Sequence, residues 1–103
     1  MRILLIDNEL RWINFVKSAL GTMVEISETV KDKSYDLVIL SSRRLDKVGD
    51  IKDKFIVATG QPTTQEAINA YRLGAKDYIT KDFKKEKLLK AVMHVTKKNK
   101  RNS

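Results

Sequence analysis

The chain has 103 residues, 21 of them basic and 13 acidic, a net charge of +8, and no cysteine. This length sets one domain as the expectation, and the lack of cysteine excludes a disulfide framework and a thiolate metal site. The opening apolar run, Ile3-Leu4-Leu5-Ile6, meets Asp7 too soon to be a signal-peptide core or a membrane span, so a cytoplasmic protein without membrane attachment is expected.

Ile3–Ile6 reads as a first strand. Residues 9–20 then place Trp12, Ile13, Phe15, Val16, Ala19 and Leu20 on one helical stripe, which Gly21 ends. Met23-Val24-Glu25-Ile26 alternates and reads as a second strand. Leu37-Val38-Ile39-Leu40 and Phe55-Ile56-Val57-Ala58 are continuous apolar runs, the kind buried on both faces of a parallel sheet. Pro62-Thr63-Thr64-Gln65-Glu66 predicts a helix start, with Thr63 as cap and Glu66 reaching back to it in a capping box. Ala67, Ala70, Tyr71 and Gly74 follow at i, i+3, i+4 and i+7 as the inner face of that helix. Asp77-Tyr78-Ile79-Thr80 is a weaker strand, and a last helix over residues 84–97 buries Leu88, Leu89, Val92 and Val95.

This alternation predicts an α/β fold, a doubly wound (βα)5 sandwich with right-handed crossovers. Two crossovers are thin, Ser27 to Tyr35 and Ser41 to Lys54. Each holds little more than two turns of helix, so the second and third helices are expected to be shortened. Poor cover there would leave an apolar patch on one sheet face and favour self-association.

Ligands of open parallel sheets bind at the carboxyl ends of the strands. Those ends carry Asp7, Asn8 and Glu9, then Ser41 and Ser42, then Thr59 and Gly60, then Thr80, Lys81 and Asp82. The first turn has no glycine, so a dinucleotide fingerprint is absent, and it is not the serine- and glycine-rich cradle of a flavin mononucleotide site.

Four stretches together resemble the response-regulator receiver family. Ile3-Leu4-Leu5-Ile6-Asp7-Asn8-Glu9 is similar to its first strand and acidic pair, and Tyr35-Asp36-Leu37-Val38-Ile39-Leu40 to the strand leading to its phospho-acceptor. Val57-Ala58-Thr59-Gly60 looks like the strand ending in the switch hydroxyl. The stretch from Gly74 to Phe83 looks like the one with the switch aromatic and the lysine. The resemblance spans residues 1–96 as a receiver-like domain, with 97–103 as a basic tail, and implies a five-stranded parallel sheet in flavodoxin-like order 2-1-3-4-5. It places Asp7 on the first acid, Thr59 on the hydroxyl, Tyr78 on the aromatic and Lys81 on the lysine.

Three positions depart from the family. Asn8 replaces the second acid, Ser41 replaces the acceptor aspartate, and Asp82 replaces the proline after the lysine. Phosphotransfer needs an ionised carboxylate beside a hard cation, and a serine hydroxyl is not ionised at neutral pH. The residues Asp7, Asn8, Ser41, Thr59 and Lys81 therefore form a degenerate pocket, with no catalytic residue and magnesium binding lost or weak. Its charge falls near zero, and only Asp7 and Glu9 are placed to hold any residual metal. A buried Asp7–Lys81 ion pair, bonded to Ser41 or Asn8, is the expected replacement. Family members usually have a cis bond before the proline. A non-proline cis bond costs about 3–4 kcal/mol, so Lys81–Asp82 is expected trans, with a shifted loop.

The sequence thus points to a pseudo-receiver: a phosphorylation-independent interaction or signalling module of a two-component-like pathway, not an enzyme. The resemblance puts protein or homodimer contacts on residues 63–96, with Ile68, Arg72, Lys76, Lys84, Lys87 and Lys90 as candidates. One alternative is nucleic-acid association through the basic last helix and Lys97, Lys98, Lys100 and Arg101. Without those four the chain still carries 17 basic against 13 acidic residues. No aromatic is interleaved with the tail lysines, so such binding would be unspecific and salt-dependent. The other alternative is a receiver with a non-standard acceptor. Asp46 lies too far beyond Ser41 for that part, and His94, the single histidine, makes neither a metal site nor a triad.

Overall fold

The computed structural model describes residues 1–97. The strands Ile3–Ile6 (β1), Leu37–Ser41 (β3) and Phe55–Thr59 (β4) are buried along their whole length, as unbroken apolar runs require. Val24–Ser27 (β2) and Asp77–Thr80 (β5), with more polar residues, are less buried and form the edges. All five strands are parallel, in the order β2-β1-β3-β4-β5, which is the flavodoxin-like order.

Alternate side chains feed two cores. Ile3, Leu5, Leu37, Ile39, Ile56 and Ala58 pack under the helices Leu10–Leu20 (α1) and Lys85–Thr96 (α3). Trp12, Val16, Leu20, Leu88, Val92 and Val95 close that side. Gly21 ends α1 at φ +62°, a left-handed angle that costs glycine little, and its N–H returns to the Lys17 carbonyl. On the other face, Leu4, Ile6, Val38, Leu40 and Val57 pack with Ala70 of the helix Thr64–Arg72 (α2).

The crossovers differ from expectation. The second holds no helix among residues 28–36, and the third, Ser42–Asp50, is 3-10 in character with a kink at Arg44. Nevertheless, among the described residues no apolar patch opens under these two crossovers, which corrects the expected basis for self-association. Leu45, Val48 and Ile51 from the third crossover and Val30 and Tyr35 from the second cover it, and Leu4 and Val38 remain 0 % and 2 % exposed. Tyr35 is pinned by its hydroxyl, which donates to Glu25 at 2.7 Å, and by its N–H, which donates to Asp53 at 3.1 Å. The inner face of α2 also differs: Ala70 is fully buried, but Tyr71 is 49 % exposed and Gly74 is exposed. Among the described residues no helix is long and apolar enough to cross a membrane.

The register positions the site. Ile6 lies beside Leu40, Ser41 beside Ala58, and Thr59 beside Thr80. Beyond the level of Ile6, β3 runs one residue further and β4 and β5 two, so the strand ends are stepped, and Asp7, Ser41, Thr59 and Lys81 gather at one rim.

Candidate functional site

Asp7 leaves β1 nearly buried, at 2 % exposure. Its Oδ1 accepts the N–H groups of Asn8 at 2.8 Å and Glu9 at 2.9 Å. Its Oδ2 faces the Lys81 ammonium at 2.8 Å. The two side chains are 1 % and 7 % exposed, so water screens the pair little. The same ammonium donates to Glu9 at 2.9 Å and lies 5.9 Å from the Trp12 ring centroid. Lys81 is aimed there by its backbone, because its N–H donates to the Thr59 carbonyl at 2.7 Å. Of the two expected partners Asn8 bonds to Asp7, through its backbone N–H, while Ser41 bonds to its own turn.

Ser41 and Thr59 each accept a bond from their own turn. Ser41 Oγ accepts from the Arg43 N–H, capping the third crossover, and Thr59 Oγ1 accepts from the Gln61 N–H, both at 3.2 Å. Short hydroxyl side chains favour such turns at strand ends. Asp7, Asn8, Ser41, Thr59 and Lys81 line one cleft with Glu9, Arg43 and Glu66. With Glu9 and Glu66 included, that rim holds three acids against two bases, a net −1 rather than the near-zero balance expected.

Tyr78 lies behind the cleft. Its hydroxyl donates to Glu66 and accepts from the Thr63 N–H at 3.2 Å. Only half of the predicted capping box therefore forms: Thr63 Oγ1 accepts from the Glu66 N–H at 3.0 Å, while the Glu66 carboxylate turns to Tyr78. Nothing local announces this contact, since it joins residues twelve apart on different elements.

Among the described residues no peptide bond is cis, so Lys81–Asp82 is trans as expected. The chain turns at Phe83 instead, with φ +58°, a left-handed value that is strained for a bulky residue. Aromatic packing holds it: Phe83 meets Phe15 and Trp12 edge-on at 5.4 and 5.8 Å, under the Arg11 guanidinium. Burial works to raise the Asp82 pKa, but the Lys84 N–H and the Lys87 ammonium at 3.3 Å outweigh it and hold the group below its ordinary value.

No protein-family model matches the chain. Over 73 residues it is 37 % identical to the transcriptional regulatory protein FlgR of Helicobacter pylori, a match covering 64 % of this chain. The chain spans only 19 % of that relative's length. Its fold superposes on HP1043, an orphan response regulator of H. pylori, with a TM-score of 0.79 and 27 % identity, covering 94 % of this chain and 97 % of the other. Fold and sequence similarity together support a response-regulator receiver domain. The non-phosphorylated HemR receiver of Leptospira biflexa (TM-score 0.82, 24 % identity, 96 % of each chain) shares the fold. So does a CheY-like receiver from Methanospirillum hungatei (TM-score 0.80, 20 % identity, 99 % of this chain and 98 % of that one). Receiver domains are signalling modules rather than enzymes.

The candidate contact residues Ile68, Arg72, Lys76, Lys84, Lys87 and Lys90 are all exposed, Lys87 with an ion pair to Asp82. Asp46 is exposed and does not line the cleft. His94 is exposed and shares a cavity with Lys54 and Lys76. Lys97 is exposed; Lys98, Lys100 and Arg101 lie outside the described residues.

All three tyrosines of the chain donate to a carboxylate: Tyr35 to Glu25, Tyr71 to Asp77, Tyr78 to Glu66. Burial, reinforced by those carboxylates, raises each phenol's pKa above its ordinary value. Because the fold favours the neutral phenol, this contribution is complete below the usual tyrosine pKa of about 10 and is lost as pH rises through the raised values. An absorbance titration near the tyrosinate band should therefore show no ionisation step at the ordinary position until the protein unfolds. A full three-tyrosine step there in the folded state would contradict these contacts.

Proposed function

We propose that this receiver works without phosphorylation of its pocket, as a protein-interaction module in a two-component-like signalling pathway. The observation that carries this reading is the state of the oxygens in the cleft. Ser41 offers no carboxylate where the strand ends. Asp7 Oδ1 is taken by two amides and Oδ2 by Lys81, and Glu9 shares the same ammonium. Magnesium wants several free oxygen ligands, carboxylates among them. The residues present do not fit that ion: among those described, no group of three acids or histidines gathers to hold one. A pocket whose ionic needs are met internally has no call for phosphoryl chemistry.

The relatives' roles suit such a module. FlgR is a transcriptional regulatory protein, and HP1043 is an orphan response regulator. By this reading the working surface is α2, β5 and α3, where the exposed candidates lie. Incubation with acetyl phosphate and magnesium should leave the intact mass unchanged, and beryllofluoride with magnesium should leave Trp12 fluorescence unchanged. A phosphoryl mass increment, or a magnesium-dependent fluorescence change, would overturn the reading.

A further inference from the structure

The chain's positive charge is not spread over the fold. Residues 1–69 hold ten basic and ten acidic side chains, whereas residues 70–97 hold eight basic and three acidic. All the excess among the described residues therefore sits on the end of α2, on β5 with its flanking loops, and on α3. These form one margin of the sheet, because β5 is its last strand. Lys81 is buried against Asp7 and Glu9, which leaves seven basic groups against three acids on this margin, and part of that opposing charge is itself paired. Asp82 is paired with Lys87, and Asp77 accepts from Tyr71 and from the Tyr78 N–H.

Along α3, Lys87, Lys90 and His94 follow at i, i+3 and i+7, so they share one exposed flank. The contacts of that flank show where it points. Lys87 reaches Asp82 at the carboxyl end of β5, and His94 shares a cavity with Lys76 and Lys54 at the amino end. That cavity contains no acidic side chain. The basic strip therefore runs the length of the β5 margin. Large apolar groups stand exposed beside it: Ile68, Tyr71 and Leu73 at 41–49 % on and just after α2, and Met93 at 66 % on α3.

We propose that the α2–β5–α3 margin binds an acidic protein surface that carries apolar side chains of its own, and that it does not pair with a second copy of itself. This deepens, and rests on, the reading of that margin as the working interface. A two-fold interface sets the same patch against itself, so here it would oppose excess positive charge to excess positive charge. An acidic partner reverses that term, attracting the surface at a distance and fixing its register. The exposed apolar residues decide between polyanions. Tyrosine, methionine and arginine are favoured at the centres of protein interfaces, whereas a phosphate backbone gives Ile68, Leu73 and Met93 nothing to cover them.

The test uses the full chain and a labelled helical peptide with glutamates on one flank and leucine and phenylalanine on the other. Fluorescence anisotropy should show saturable binding that weakens as salt rises. The same peptide with glutamine for glutamate should bind at least tenfold more weakly. Arg72→Glu/Lys76→Glu/Lys90→Glu should lower affinity for the acidic peptide at least tenfold, while Lys31→Glu/Lys33→Glu/Lys52→Glu, an equal charge change elsewhere, should lower it far less. Equal losses from the two triple variants, or no binding of the acidic peptide at low salt, would overturn the proposal. So would tighter binding of mixed-sequence duplex DNA at the same margin, or a dimer whose perturbed amide signals map to α2, β5 and α3. Glutamine-peptide binding that maps there without charge dependence would defeat the acidic-partner inference but leave the interface reading standing. A phosphoryl mass increment would separately defeat the phosphorylation-independent reading.

Discussion

Replacing Lys81 with methionine should destabilise the receiver by about 3–5 kcal/mol, the range typical when one partner of a buried ion pair is removed. The reason is the position of Asp7. Its side chain is 1 % exposed, and without the ammonium at 2.8 Å its Oδ2 faces no other cation. The two amides on Oδ1 remain, but they do not supply the lost opposite charge. Asp7→Asn combined with Lys81→Met should recover much of the loss, because a neutral amide at position 7 keeps the shape without a stranded charge. Urea denaturation of the two single variants and the double variant gives the comparison. If Lys81→Met costs less than about 1 kcal/mol, as an exposed ion pair would, then the pair is not buried in solution.

Trp12→Ala should cost a similar amount, about 3–5 kcal/mol for a large buried aromatic. Trp12 is 1 % exposed, stacks on Phe15 at 5.4 Å and buttresses Phe83 at 5.8 Å. The loss should reach beyond the cavity, since Phe83 holds its left-handed backbone through those rings and Lys81 lies over the indole. Amide signals of residues 81–84 should therefore broaden in the folded variant. Trp12→Phe is the discriminating partner experiment. The indole N–H is buried and makes no hydrogen bond, so removing it should offset part of the lost area. Phenylalanine costing as much as alanine would overturn this account, because the phenyl ring keeps most of the buried area and discards the unbonded N–H.

Much of this architecture is legible in the chain. Ile3–Ile6, Leu37–Leu40 and Phe55–Ala58 are strands because continuous β-branched and aliphatic runs suit a sheet covered on both sides. The stripe from Trp12 to Leu20 and the stop at Gly21 define α1. The rim residues Asp7, Ser41, Thr59 and Lys81 follow from strand ends, which the parallel register brings within two or three residues of one level. Less legible was what each rim group bonds to. Hydroxyls at strand ends serve equally well as site groups or turn caps, and Ser41 and Thr59 accept from their own turns. Glu66 reads as a capping residue from its spacing alone, yet its carboxylate is drawn to a phenol on another element.

The length of the second crossover was visible, but not that it would form no helix and still keep Leu4 and Val38 dry, because that cover comes from Tyr35 and from residues of the third crossover. By itself, the sequence determined the order of the strands, the rim they share, and the serine that ends β3, because each depends on local pattern and residue identity. Only the tertiary structure decided that Glu9 joins Asp7 at Lys81, that Tyr78 is held by Glu66, and that the excess positive charge lies along one sheet margin. Those are relations between residues far apart in the chain, and a distance in space is set by packing, which no local pattern records.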